Sequence, residues 1–312
     1  MTDLRVSAPA TVCDESIDGF DAIRLAAGPL EAAFVPHVGM AGVSLRHNGE
    51  ELLSREAGLA AYVAHGAVMG IPLLHPWANR LDRPTYEAAG LAVRLPSGLP
   101  VDEHGLPIHG VRPSGWRVVA AGADGDRASL IAELDFSEAA FPFAHRMEQR
   151  VTLSPAALTI ETALRARERP VPVSFGFHPY LRLPGVPRGE WVVALPARRH
   201  LLTDDRSIPS GATVREPAEV KPLGRRSFDD GYDELGPEPR FTVSGGGRAV
   251  TVRFLAGYPV AQVFAPRDHA VICFEPMTAP TNALVSGRGL RFAPPAGAFH
   301  AAFEISVASS RE

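Results

Sequence analysis

The chain has 312 residues, 46% hydrophobic and 21% charged, so it can bury a large core without covalent staples. A net charge of −4 and a pI near 6.3 give no basic face, which argues against nucleic acid or anionic lipid as partners. Two distant cysteines, a start without signal-peptide character and no bilayer-length apolar run point to a cytoplasmic protein with no membrane partner.

Residues 1–312 read as one domain, the first ten a flexible tail, because no composition shift or linker divides the chain. Two segments suit short helices, Leu52 to Ala64 and Ser137 to Phe141. The rest of the pattern is strand-like. Alternation over two residues marks Ala128 to Phe136, Arg146 to Leu153 and Leu158 to Leu164. It returns in Arg248 to Phe254, Val260 to Phe264, His269 to Phe274 and Phe299 to Val307. The 29 glycines and 29 prolines fall largely between these runs, as turn punctuation. Many short strands with few helices predict an all-β protein, a large antiparallel β-sandwich or barrel.

Five segments carry candidate chemistry. Gly70 to Asp82 holds Pro72 and Pro76, so it reads as an irregular loop presenting Trp77, Asn79 and Arg80. An aromatic face, an amide and a guanidinium suit a sugar; the same polar groups also suit tying down their own loop. Next comes Ile108-His109-Gly110, where glycine permits close backbone approach. Its neighbour His104 makes no helical metal pair with it, and no metal is expected. Phe177-His178-Pro179-Tyr180 sets an imidazole at a strand end, able to give and take a proton near neutrality. Phe228 to Glu234 offers Asp229, Asp230 and Asp233 as carboxylates for vicinal hydroxyls, or simply an acidic solvated turn. Phe274-Glu275-Pro276 ends an apolar strand on a carboxylate, where partial desolvation would raise its pKa and suit it as a base. Taken singly, His178 and Glu275 are as readily satisfied rim residues.

In this order the segments resemble the aldose 1-epimerase (galactose mutarotase) family, most specifically through Pro76 to Arg80, His178-Pro179-Tyr180 and Glu275 to Thr278. The resemblance implies a β-supersandwich acting on a small sugar without a cofactor. It implies Glu275 as general base on the anomeric hydroxyl and His178 as general acid on the ring oxygen. It also implies Asn79, Arg80, His109 and Asp229 as substrate-binding residues, with Asp230 and Asp233 competing for the last place. A hexose-6-phosphate epimerase would need a phosphate site, for which Arg80, Arg83 and Arg112 are candidates. A non-catalytic sugar-binding protein and a glycoside hydrolase using Asp229 and Glu275 are the other readings. The preferred sugar and the oligomeric state are not legible.

Overall fold

The computed structural model describes residues 9–309 apart from 57, 67, 68, 113 and 296. The all-β expectation holds, as a sandwich of antiparallel sheets. One face is a nine-stranded sheet running from Glu219–Pro222 at one edge to Arg117–Asp124 at the other. Its centre is formed by Arg248–Ala256, Ala298–Ser309, Ala157–Ala166 and Phe141–Leu153. The opposing sheet has the order Pro209–Glu216, Arg198–Thr203, Phe228–Asp233, Val260–Ala265, Ile272–Met277, Gly176–Phe177 and Leu73–Leu74. Five N-terminal strands, Thr11–Ile17 through Glu50–Glu51, form a separate sheet.

Alternation of side chains decides what each face does. Phe274 and Phe177 point from the second sheet into the sandwich, where they meet Phe241 and Phe303 of the first at ring distances of 5.7 and 5.0 Å. Their neighbours Glu275 and His178 therefore belong to the other face. That face is approached by the chain around Arg80 and His109, which contact Asp229 and His178, and the Ile272–Met277 strand is buried throughout. Glu275 thus lies inside a strand rather than at its end.

Two local expectations change. Of the segment from Leu52 to Ala64, the part from Gly58 onward is helical, in the helix Gly58–His65, while Leu52 and Leu53 are buried and tied by backbone bonds to Leu45, Arg182 and Leu181. Ser137 to Phe141 is a hairpin: Glu138 pairs with Phe141 around a two-residue turn, and five residues are too few to sustain a helix alone. Of the expected tail, residues 1–8 lie outside the described residues, whereas Ala10 is buried and bonded to the Gly125 carbonyl at 3.0 Å. Among the described residues no helix is long and apolar enough to cross a membrane.

Candidate active site

The two proline-followed residues meet through strand register. Gly176 pairs with Met277, and Tyr180 with Cys273. Continuing that register inward from either end sets His178 across from Glu275. Pro179 and Pro276 have no N–H, so the backbone ladder is interrupted just where the two side chains face each other. His178 is instead anchored by its N–H, which donates to the Pro72 carbonyl at 3.2 Å. Gly176 is needed for the approach: a Cβ there would lie 2.2 Å from Met277 Sδ and 2.9 Å from the Pro276 carbonyl oxygen.

His178 Nε2 lies 3.2 Å from Glu275 Oε1, and both side chains are nearly inaccessible, at 6% and 1% exposure. Tyr180 stacks on the imidazole at 4.3 Å, with its hydroxyl 3.4 Å from the same Nε2. Burial pushes Glu275 well above the usual carboxylate range; Asp229 adds to this and Arg80 opposes it. Burial, with His109 second, pushes His178 well below the usual imidazole range. Each group alone therefore resists its charge, and a single shared proton is the stable inventory of the pair. Glu275 Oε2 and His178 Nδ1 have no hydrogen-bond partner among the described residues.

The chain around Arg80 and His109 brings the other predicted residues to the same place. Asn79 and His109 both adopt left-handed backbone, φ 55° and 59°, and the His109 N–H donates to the Asn79 carbonyl at 3.0 Å. Gly110 fits because its φ is +70° and a Cβ would sit 2.3 Å from the His75 carbonyl oxygen. The His109 ring packs edge-on against His178 at 5.7 Å. Desolvation, then the Arg80 guanidinium, lower its pKa to about 3, so it is a neutral donor or acceptor. Arg80 is fixed by its Nε donating to Asp102 at 2.7 Å and reaches Asp229 at 3.5 Å through Nη2.

Of the three competing carboxylates, Asp229 alone faces this group. It accepts from Gln262 Nε2 at 2.8 Å, while Asp230 turns to the opposite face beside His200 and Asp233 is clamped by Arg199 at 2.7 Å. Trp77, in contrast, is fully buried in the core and offers no stacking face to a sugar. Sequence reasoning assigned no role to Tyr180, Gln262 or Asp102. Gln262 was visible only as the polar member of an apolar strand, and Asp102 not at all.

The aldose 1-epimerase family model matches residues 21–293. The chain belongs to the aldose 1-epimerase family. It is an isomerase of that type. A galactose mutarotase-like protein from Clostridium acetobutylicum superposes with a TM-score of 0.81 at 19% identity, over 96% of this chain and 99% of that one. Galactose 1-epimerase from Lactobacillus acidophilus gives 0.76 at 14% identity, over 97% and 99%. An aldose epimerase homologue from C. elegans gives 0.72 at 15% identity, over 90% and 96%. At these identities the likeness is one of fold. No curated protein matches the sequence.

At this candidate site Arg80→Lys is a sharp test of geometry. An ammonium cannot reproduce the fork that spans Asp102 and Asp229. We expect kcat/KM for anomer exchange to fall about ten- to a hundredfold, the loss of one to two hydrogen bonds between charged groups. Full activity would show that Arg80 only ties down its loop.

Proposed function

We propose that this protein interconverts the α and β anomers of a free aldose by opening and closing the sugar ring. Glu275 takes the proton of the anomeric hydroxyl, and His178 delivers one to the ring oxygen. The C1–O5 bond breaks, C1 becomes the aldehyde carbon, rotation about C1–C2 exposes its other face, and the reverse steps reclose the ring. Asn79, Arg80, His109 and Asp229 hold the remaining hydroxyls. Arg80 and His109 also offset negative charge developing on oxygen. The whole chain is read as one domain working in the cytoplasm.

The observation that carries this reading is the 3.2 Å contact between two buried titratable groups beside a ring of sugar-compatible polar side chains. The neutral pair and its ion-pair form hold the same number of protons. They differ by one transfer along that contact, and hydroxyls entering the cleft would favour the charged form. The hexose-6-phosphate reading lacks an unengaged cation among its candidates. Arg80 is held by carboxylates, Arg112 by the carbonyls of Tyr62 and Val63, and Arg83 lies 3.7 Å from Asp82.

Polarimetry or NMR exchange on freshly dissolved α-glucose, α-galactose and glucose 6-phosphate is the direct test. Acceleration of the free sugars above that of the phosphate supports the proposal. Binding without acceleration of any sugar would replace it with a non-catalytic sugar-binding role.

The pH profile follows from the directions of the two shifts. Because His178 is lowered, the pair gains its second proton only below 6.5; because Glu275 is raised, it loses its shared proton only well above 4.5. The log kcat/KM curve is expected to be a bell with a plateau between two limbs, both of which belong to the pair. A single limb centred at 6.5 with no plateau would contradict a buried, coupled pair.

A further inference from the structure

The segment from Asn79 to Asp82 carries two of the proposed sugar-binding residues, and it is held along both edges in the manner of a strand. On one edge the His109 N–H donates to the Asn79 carbonyl at 3.0 Å, and the Leu81 N–H to the Pro107 carbonyl at 2.9 Å. The Arg80 carbonyl and the Asp82 N–H are bonded on the other edge, and one residue satisfies both. The Asn282 N–H donates to the Arg80 carbonyl at 3.0 Å, and Asn282 Oδ1 accepts from the Asp82 N–H at 3.0 Å.

A residue of a neighbouring strand would make such a pair of bonds with its own N–H and C=O. At Asn282 the main-chain carbonyl is already engaged. It accepts from the Val285 and Ser286 N–H groups at 3.2 and 2.9 Å, in the turn of the short helix Ala283–Ser286. The side-chain oxygen stands in for it. The backbone is also left-handed there, φ 67°, a conformation that asparagine tolerates better than most residues. Both demands fall on one buried side chain.

The same stretch of chain leads back to the acid–base pair. Asn282 lies seven residues beyond Glu275. Between them the buried Thr278 donates to the Phe175 carbonyl twice, through its N–H at 3.0 Å and its Oγ1 at 2.7 Å. Phe175 is three residues before His178. The chain leaving Glu275 is therefore fastened first to the His178 segment and then to the Arg80 segment. Asp102 and Asp229 orient the Arg80 guanidinium, but the backbone at residues 80 and 82 sets where that side chain starts.

We propose that Asn282 is a positioning residue: its one main-chain and one side-chain bond hold the Arg80 guanidinium in register with Glu275 and His178, at the hydroxyls of the sugar. The inference rests on the proposed role of Arg80 in binding. Asn282 acts through Arg80 and touches no reacting atom.

The experiment measures anomer exchange of α-glucose and α-galactose in the wild type, Asn282→Gly, Asn282→Asp, Arg80→Lys and the double variant of Asn282→Gly with Arg80→Lys. Glycine keeps the left-handed backbone and the N–H but removes the acceptor. Aspartate keeps an acceptor at the same place. Asn282→Gly is expected to lower kcat/KM about tenfold, mostly through KM, short of the roughly hundredfold that a 1 Å misplacement can cost. Asn282→Asp should recover most of that loss. On top of Arg80→Lys, glycine should cost no more than about twofold, because the group it positions is already gone. The limbs of the pH profile should stay in place, since the Glu275–His178 contact is untouched. Asn282→Ser, whose shorter side chain cannot span to the Asp82 N–H, serves the same comparison should glycine fail to fold.

Full activity in the glycine variant, equal losses in glycine and aspartate, or an undiminished penalty on top of Arg80→Lys overturns the proposal. If the wild type accelerates no free aldose, the acid–base reading fails instead. Calorimetry with glucose and galactose then judges Asn282 alone: affinity lost in Asn282→Gly and recovered in Asn282→Asp supports it, and binding absent or unaltered overturns it.

Discussion

Glu275→Gln is expected to slow anomer exchange at least about a hundredfold, the lower range for losing a general acid–base group. That is about 2.7 kcal/mol of transition-state stabilisation. The amide keeps the size and hydrogen-bonding shape of the carboxyl group but cannot take the anomeric proton. The same change should not weaken the fold. Burial raises the folded pKa of Glu275 above its unfolded value near 4.5. The stability this carboxyl contributes is therefore fully present below about 4.5 and is lost as pH rises toward the folded pKa. Glutamine has no charge to bury, so thermal denaturation at pH 8 should give a Tm at or above that of the wild type. A rate within a few-fold of wild type would remove Glu275 from the chemistry. A folded variant that is both slow and no less stable is the signature of a group placed for catalysis at the expense of stability.

His178→Gln is expected to cost a similar factor, again at least about a hundredfold, because the ring oxygen would leave unprotonated. Two further readouts separate this role from simple packing against Tyr180. The basic limb of the pH profile should disappear, since no general acid remains to lose its proton, leaving the acid limb set by protonation of Glu275. The double variant with Glu275→Gln should be little slower than the worse single variant, because groups that act as one unit lose their benefit together. Multiplying penalties would mean that the two side chains act independently, despite lying 3.2 Å apart.

Much of the fold was legible because strand alternation is a local property. The alternating run in Arg146 to Leu153 became a strand with Met147, Val151 and Leu153 fully buried. Gln149 breaks that pattern only in polarity: it sits on the buried face, 1% exposed, between Ala132 and Thr162. Local patterns failed where short segments fitted two outcomes. Ser137 to Phe141 contains good helix formers, yet the pairing of its flanking strands makes it a turn. Trp77 sits among polar residues in a proline-rich loop, but the neighbouring sheets close over it.

The candidate site divides in the same way. Residue chemistry and the ordered motifs around His178, Glu275, Asn79, Arg80 and His109 are written in the sequence itself. Proline after His178 and after Glu275 was equally visible, though its effect was not. Pairing the two chain segments turns those prolines into a gap in the backbone ladder, with the two side chains facing each other across it. The choice of Asp229 over its neighbours needed the position of Gln262, 33 residues away, because a strand's two faces are equivalent until another strand and a covering loop distinguish them. The Asp102 anchor of Arg80 belongs to the same class. Sequence by itself determined which residues could do acid–base chemistry and that strands would carry them. Only the tertiary structure decided which of them meet, because register and loop closure join positions that no local spacing relates.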